Sequence, residues 1–407
     1  MVVSPRNRTE DLMGTYVRGG MFAVAGVCGV LGLAACGSSS DSSTSTAAAG
    51  AATSQNASAS QCGSDALKAE VVKLQARPTS IGITEPVKGG VKPGKSIVWI
   101  QGPYPDAHAF GDELKKIGKK VGWTIHTVDA DGSPEQVKAA WQEALRLKPD
   151  AISQGGGGWP KPPYAAEAKQ ALKEGIVIPG FAEGAKGYPF KFSIGYGEPD
   201  GWGRTGYGDV SALEAAANIK DGDKVLSLNL PGIGLVQSQV AEFKKKLKEY
   251  CPKTTVDVFD VPLSSLGKDA PTRIASYLQA NPDYKFMYLT TIDLGIGLDA
   301  AYKAAGVTPP KTFSITSDKQ GLTILKNGEA GLIGTLHGSS GSYEGAYRLV
   351  DGLARLDAKQ SVAADEDPSG TIPKWIVTKD NLPADEDPLP AVKDGPAQFY
   401  KLWGIQG

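Results

Sequence analysis

The strongest constraint on the fold of this chain is a regular alternation of short apolar strands and amphipathic helices between Ser96 and Thr335. One helix shows the pattern clearly, because Val137, Trp141 and Leu145 recur at the spacing that places side chains on one helical face. Short apolar strands that alternate with such helices form parallel sheets covered on both faces. The sequence therefore predicts an α/β fold.

The alternation falls into two series, which meet near residue 192. The first series predicts the strands 96–101, 123–128, 151–154 and 176–181. The second predicts the strands 224–230, 255–259, 285–290, 312–315 and 332–335, with helices that include 206–219, 236–250 and 271–280. Two such series in one chain predict two doubly wound parallel-sheet lobes.

The N-terminal residues predict where the protein works. Residues 33–36, Leu-Ala-Ala-Cys, close the apolar run 21–33, which is too short to span a bilayer as a mature helix. The pattern resembles a bacterial lipobox. Residues 1–35 are therefore interpreted as a lipoprotein signal peptide, and Cys36 as the lipidated, palmitate-bearing first residue of the mature protein. A signal peptide cut elsewhere, with Cys36 incidental, is the alternative.

The residues after the predicted cleavage site indicate a tether. Residues 36–61 are almost entirely Ser, Ala, Thr and Gly and have no periodic apolar positions, which predicts a flexible segment. Over the 407 residues, 43 Lys and Arg balance 44 Asp and Glu, which argues against nucleic acid as a partner and against binding to anionic lipid through a basic face. We expect a globular body anchored by lipid on the outer face of the cell membrane.

Two cysteines, Cys62 and Cys251, lie in the predicted exported body. An even pair in an oxidising compartment permits one disulfide, and two separate thiols are the alternative. Neither cysteine has a partner at CxxC or Cys/His spacing, and the chain has 3 histidines. We therefore expect no metal site and no cofactor.

The segment Gly89–Ser96, GGVKPGKS, matches the phosphate-loop pattern letter for letter. That loop binds phosphate when a strand precedes it and a helix follows it, so that backbone amides converge on the anion. Here a polar segment precedes the loop and a strand follows it. We interpret the match as coincidental.

Three stretches resemble a known family: Ser96–Ile100 with the helix after it, Leu278–Val307, and Phe313–Leu336. The second contains a helix, Asn-Pro-Asp, a strand, an acidic residue and a G-x-x-x-A helix, and the third contains a strand, an Asp, a helix ending in Asn-Gly and a strand. Over about residues 92–380 this order resembles the type I periplasmic binding proteins, especially the ribose and galactose binding proteins of ABC sugar importers.

The resemblance implies two lobes joined by a three-crossing hinge, with a ligand between them and a membrane permease that recognises the closed form. Residues 62–91 would be an N-terminal lead-in. The first lobe would comprise 92–192 and about 339–372, and the second 193–338 and about 373–407. The expected partners are a small-molecule ligand, with a sugar or polyol favoured, and an ABC permease; the protein is expected to be a monomer.

Ligands of open parallel sheets bind beyond the carboxyl ends of the strands, so we expect the ligand residues in the loops after each strand. In the first lobe the candidates are Tyr104, Asp106, His108, Gln154, Trp159 and Glu183. Tyr104 and Trp159 would stack on an apolar ligand face, and the polar side chains would bind hydroxyls. Asp106 as a helix cap, His108 as a surface residue and Trp159 as a core residue are the alternatives.

In the second lobe the candidates are Gln239, Thr291, Asp293, Asp318 and His337. Asp318 occupies the place of the family's best-marked ligand acid. Asp293 could instead cap a helix, and His337 could be a hinge residue without ligand contact. The family's arginines are absent beside Glu183 and at Gln239, which disfavours an anionic ligand and leaves a cation or an aromatic molecule as alternatives to a polyol.

Together these features predict an extracytoplasmic solute-binding lipoprotein that feeds an ABC importer. Its mechanism makes and breaks no bond, so we expect no enzyme activity. The chain also lacks a G-x-S-x-G elbow, a zinc-ligand spacing and a phosphate loop preceded by a strand. A sensor lipoprotein that presents its closed lobes to a membrane receptor is the alternative.

Overall fold

The computed structural model describes residues 60–103, 105–155, 162–181, 191–194, 206–231, 233–315, 319–338, 342–362, 373–383 and 389–405. The predicted signal peptide, Cys36 and nearly all of the predicted tether lie outside these residues. Within the described part of the chain, no helix combines the length and the hydropathy of a membrane span.

The first lobe is built on parallel strands covered by helices. The strands are β1 (Ser96–Gln101), β2 (Thr124–Asp129), β3 (Ala151–Gln154), β4 (Gly180–Phe181) and β5 (Ser193–Ile194). β1 lies between β2 and β3, and β4 pairs with β5. The helices of this lobe are α2 (Pro105–Val121), α3 (Pro134–Arg146), α4 (Ala165–Lys173), α10 (Ser342–Asp357) and α11 (Gly395–Leu402).

The second lobe is built on a six-stranded sheet in the order β11-β10-β9-β8-β6-β7. Its strands are β6 (Lys224–Asn229), β7 (Thr255–Asp260), β8 (Tyr284–Leu289), β9 (Lys311–Ile315), β10 (Leu332–Gly338) and β11 (Lys374–Val377). All neighbours are parallel except β10 and β11, which are antiparallel. The helices are α1 (Asp65–Leu74), α5 (Tyr207–Asn218), α6 (Gly234–Tyr250), α7 (Ala270–Ala280), α8 (Leu298–Ala305) and α9 (Lys319–Asn327).

The predicted α/β class and the two doubly wound lobes are confirmed. One predicted strand, 176–181, is largely wrong, because regular pairing is confined to Gly180–Phe181 and a single bridge joins Val177 to Ala151. Pro179 lies between these two pairings and has no N–H to donate to a ladder. The structure also agrees with the interpretation of the phosphate-loop match as coincidental. Ser96 begins β1, so a strand rather than a helix N-terminus follows the loop.

Apolar side chains pack on both faces of each sheet. On one face of the first sheet Trp99 stacks on Phe110, with ring centroids 4.0 Å apart. On the other face Trp141 stacks on Tyr164 at 4.5 Å. The second sheet likewise separates two buried clusters. Burial on both faces explains why these strands read as nearly continuous apolar runs.

The lead-in predicted at 62–91 spans both lobes. Its first part is attached to the second lobe by α1 and by a disulfide between Cys62 and Cys251. Its second part packs in the core of the first lobe through Ile81 and Val87. The chain therefore makes one more passage between the lobes than the three-crossing hinge predicts.

The predicted boundary of the second lobe is wrong at the C-terminus. β11 of the segment 373–407 joins the second sheet, but α11 packs on α10 of the first lobe. Tyr347 of α10 stacks on both Phe399 and Trp403, at centroid distances of 5.6 and 6.0 Å. This aromatic cluster fixes α11 to the first lobe. The chain therefore passes from the second lobe to the first once more after β11, which the three-crossing hinge does not include.

Candidate functional site

A buried glutamine organises the carboxyl ends of β1 and β2. Gln101 Nε2 donates to Asp129 Oδ1 at 2.6 Å and lies 2.9 Å from Nδ1 of His108. Gln101 is buried, whereas Asp129 and His108 are exposed. The amide therefore ties both strand ends to the first turn of α2, where the predicted ligand residue Asp106 also lies.

Gln154 ends β3 and is buried, and a run of glycines follows it in the sequence. Its Oε1 accepts a hydrogen bond from Trp141 Nε1 at 2.6 Å, and the Trp141 ring is within 5° of parallel to that of Tyr164. A Cβ at Gly155 would lie 2.5 Å from the Trp99 ring, so the first residue of the run must be glycine. The hydrogen bond from Trp141 therefore occupies the amide oxygen of Gln154 inside the first lobe.

Paired polar side chains end the strands of the second lobe. Asn229 Nδ2 donates to Asp260 Oδ1 at 2.7 Å, which joins the ends of β6 and β7. After β8, Thr291 caps a short 3₁₀ helix (Ile292–Gly295) by accepting from the Asp293 N–H at 3.4 Å. Thr291 Oγ1 also donates to Asp293 Oδ2 at 2.9 Å. Thr291, rather than Asp293, is thus the cap, and the two candidates form one polar pair.

Gln239 is buried in the second turn of α6, the helix that follows β6. Its Oε1 has no hydrogen-bond partner among the described residues. A buried amide oxygen left without a partner costs about 1–3 kcal/mol. This cost favours a ligand or a nearby loop as the missing donor.

His337 lies near the end of β10, at the predicted hinge. It is 2% exposed, its Nε2 is 2.6 Å from the backbone oxygen of Leu389, and its ring meets Trp375 edge-on at 6.4 Å. Leu389 belongs to the C-terminal passage between the lobes, and Trp375 is paired with His337 in the β10–β11 ladder. This placement favours the hinge interpretation, and a ligand contact for His337 stays a prediction.

Lys374 is a hinge residue that sequence reasoning missed. It pairs with Gly338 in the β10–β11 ladder, and its Nζ lies 5.8 Å from the ring centroid of Tyr207 at the start of α5. Burial lowers the pKa of this amine, while the charges of Glu242 and Asp209 act in the opposite direction. The sequence signal that could have identified it is a lysine as the first residue of the apolar run Lys-Trp-Ile-Val.

Four predicted ligand residues, Tyr104, Trp159, Glu183 and Asp318, lie outside the described residues. They stay predictions.

The described arginines that are buried in the first lobe bind backbone oxygens of the lead-in. Arg348 and Arg355 lie on α10 and donate to the backbone oxygens of Ile81 and Glu85 at 2.8 and 2.6 Å. Both therefore hold the lead-in. In the part of the chain described here, no group of three His, Cys, Asp or Glu side chains is placed to hold a metal ion.

Comparison with known proteins identifies the fold. No protein-family model matches the sequence, and no curated protein matches it. Solved structures do match. The 5-methylthioribose transporter solute-binding protein from Thermotoga lettingae is 15% identical, with a TM-score of 0.58 over 73% of this chain and 89% of that one. An ABC transporter solute-binding protein from Agrobacterium vitis with bound D-fucose is 19% identical, with a TM-score of 0.58 over 71% and 96%. The arabinose binding protein AraP from Geobacillus stearothermophilus is 17% identical, with a TM-score of 0.53 over 71% and 98%.

The chain has the type I periplasmic binding protein fold. At these identities the likeness establishes the fold and no more. Ligands of open parallel sheets bind beyond the carboxyl ends of the strands, and in this fold the candidates Gln154 and Thr291 lie at or just after such ends. Gln239 lies in the helix that follows β6.

Proposed function

We propose that this protein captures a small polar solute, a sugar or polyol, between its two lobes and delivers it to an ABC permease from a lipid anchor outside the cytoplasm. The observation that carries the proposal is the two-lobed fold. It is shared with solute-binding proteins whose ligands are 5-methylthioribose, D-fucose and arabinose. Binding would stabilise closure of the lobes, and the permease would recognise the closed form.

The chemistry of the strand ends supports a neutral, hydroxylated solute. Amides, hydroxyls and carboxylates offer hydrogen bonds that compensate the burial of hydroxyl groups. Gln239 contributes a buried oxygen that has no partner in the described part of the chain. Among the described residues, the two nearly fully buried arginines of α10 bind the lead-in rather than the carboxyl ends of the strands.

A thermal-shift screen of the purified protein tests the proposal. The probes are 5-methylthioribose, D-ribose, L-arabinose, D-xylose, D-fucose, D-galactose and myo-inositol, with nucleosides and aromatic acids as the competing classes. A ligand at a hundredfold excess over its Kd stabilises the folded state by about 2.7 kcal/mol, which raises Tm by a few degrees. No stabiliser among the sugars and polyols would refute the ligand class.

A matched pair of variants then tests the site with the best probe. Gln239→Ala should weaken binding about tenfold, because a buried hydrogen bond to the solute is lost. Gln237→Ala changes an exposed glutamine on the same helix and should leave binding unchanged. Equal affinities for the two variants in titration calorimetry would remove Gln239 from the site.

The proposed anchor has its own test. Mass spectrometry of the mature protein should find an N-terminal cysteine at position 36 with acyl chains attached. Cys36→Ser should shift the protein from the membrane fraction to the medium. Membrane retention of that variant would count against lipid attachment at Cys36.

A further inference from the structure

The start of the described chain is fastened to the second lobe. We call residues 61–91, which are the lead-in together with Gln61, the N-terminal belt. Its Cys62 is disulfide-bonded to Cys251 at the end of α6, and the Gly63 N–H donates to the Ala216 backbone oxygen at 2.7 Å. Leu67 and Val71 of α1 are buried in the core of that lobe. This end of the belt therefore moves with the second lobe.

The other end of the belt is fastened to the first lobe by polar groups of α10. Arg348 donates to the Ile81 oxygen, and Arg355, which is also ion-paired with Asp351 at 2.6 Å, donates to the Glu85 oxygen. Both arginines are almost fully buried, at 1% and 3% exposure. A buried guanidinium bonded to a backbone oxygen holds that segment firmly, because breaking the bond leaves a buried N–H of a charged group without an acceptor.

Between these two attachments, the belt passes through the hinge at Arg77. The Arg77 guanidinium donates to the Pro390 backbone oxygen at 2.7 Å and lies 4.9 Å from the ring centroid of Trp375. Trp375 Nε1 in turn donates to the Gln75 oxygen at 3.0 Å. Arg77 thus joins the belt to β11 and to the C-terminal passage, whose Leu389 oxygen contacts His337.

We propose that Arg77 is a positioning residue for lobe closure, and that the N-terminal belt limits how far the lobes open. The stretch between the attachments, residues 75–80, spans at most about 20 Å when fully extended. Any change in the angle between the lobes must be absorbed within it, and Arg77 holds its midpoint against β11 and the C-terminal passage. This role of Arg77 involves the hinge alone and is the same whatever solute is bound.

The test uses ligand-free protein, so its outcome is independent of the proposed function. Small-angle X-ray scattering gives the distribution of distances within the molecule, and hydrogen exchange gives local opening of β11. Arg77→Gln should broaden the scattering distribution toward longer distances and speed exchange of the Trp375–Val377 amides about tenfold. Arg77→Lys keeps the cation over the indole and should restore part of both effects.

Arg273→Gln is the matched control. Arg273 is an exposed arginine whose ion pair with Asp269 lies on α7, so its loss should change neither readout. The proposal is overturned if Arg77→Gln lowers Tm while its scattering distribution and β11 exchange match those of the Arg273 variant. That result would assign Arg77 a role in stability alone.

Discussion

Glu214 gives the sharpest prediction, because it is a carboxylic acid buried in the helix that covers the second sheet. It lies on α5 and is 6% exposed. Its Oε1 accepts from Asn218 Nδ2 at 2.9 Å, and Asn218 accepts in turn from Lys311 at 3.1 Å. Burial raises the pKa of Glu214 from 4.5 to about 7, while the Asn218 bond and the Lys311 charge oppose the rise.

The sign of the stability effect follows from proton binding. Between pH 4.5 and about 7 the folded state keeps a proton on Glu214 that the unfolded chain has lost. The contribution of Glu214 to stability is therefore greatest below pH 4.5, falls as the pH rises, and is fully lost above about pH 7. A pKa change of this size corresponds to about 3 kcal/mol, since each pKa unit is about 1.4 kcal/mol.

Glu214→Gln removes the titrating proton and keeps an amide oxygen for Asn218. Urea unfolding at pH 5, 6, 7 and 8 should show the variant and the wild type within about 1 kcal/mol at pH 5, and the variant more stable by about 3 kcal/mol at pH 8. Glu143→Gln, on an exposed position of α3, controls for the loss of a charge. A difference between Glu214→Gln and wild type that stays constant across pH would refute the buried-acid argument.

Two further perturbations test the packing around the site and the belt. Reducing the Cys62–Cys251 disulfide, which joins residues 189 apart in sequence, should lower unfolding stability by up to about 5 kcal/mol. A calorimetric Tm that is unchanged by reductant would contradict this. Trp141→Phe keeps the stack on Tyr164 but leaves the Gln154 oxygen without its donor, and should cost about 1–3 kcal/mol in urea unfolding. A loss below about 0.5 kcal/mol would show that Gln154 finds another partner.

The strands and helices were predictable because their signals are local. A strand buried on both faces must be apolar over its length, and a helix covering it must repeat apolar residues at helical spacing. The structure places strands at Ser96–Gln101 and Ala151–Gln154, as the sequence predicts. Pro179 shows the limit of this reasoning, since the apolar run around it predicts a longer strand than its missing N–H permits.

The candidate site was predictable only in outline. Strand ends in parallel sheets are expected to carry polar side chains, and Gln154 and Thr291 do lie there. The sequence did not predict which polar atoms of these side chains already make hydrogen bonds within the protein. Gln154 bonds to Trp141 on a neighbouring helix, and Thr291 bonds to Asp293, because these partners are chosen by packing between elements.

The sequence alone determined the two lobes and their layers, since both depend on the spacing of residues close in the chain. The compartment signal at residues 33–36 stays a prediction. Tertiary structure alone decided the hinge. On α10, Arg348, Asp351 and Arg355 have the spacing of a solvated polar face, yet each is at most 3% exposed. The two arginines donate to backbone oxygens more than 260 residues away, at Ile81 and Glu85, and Asp351 accepts from Arg355 and from Trp403 Nε1. Long-range contacts of this kind leave no periodic pattern in the sequence, because only the folded chain brings the two segments together.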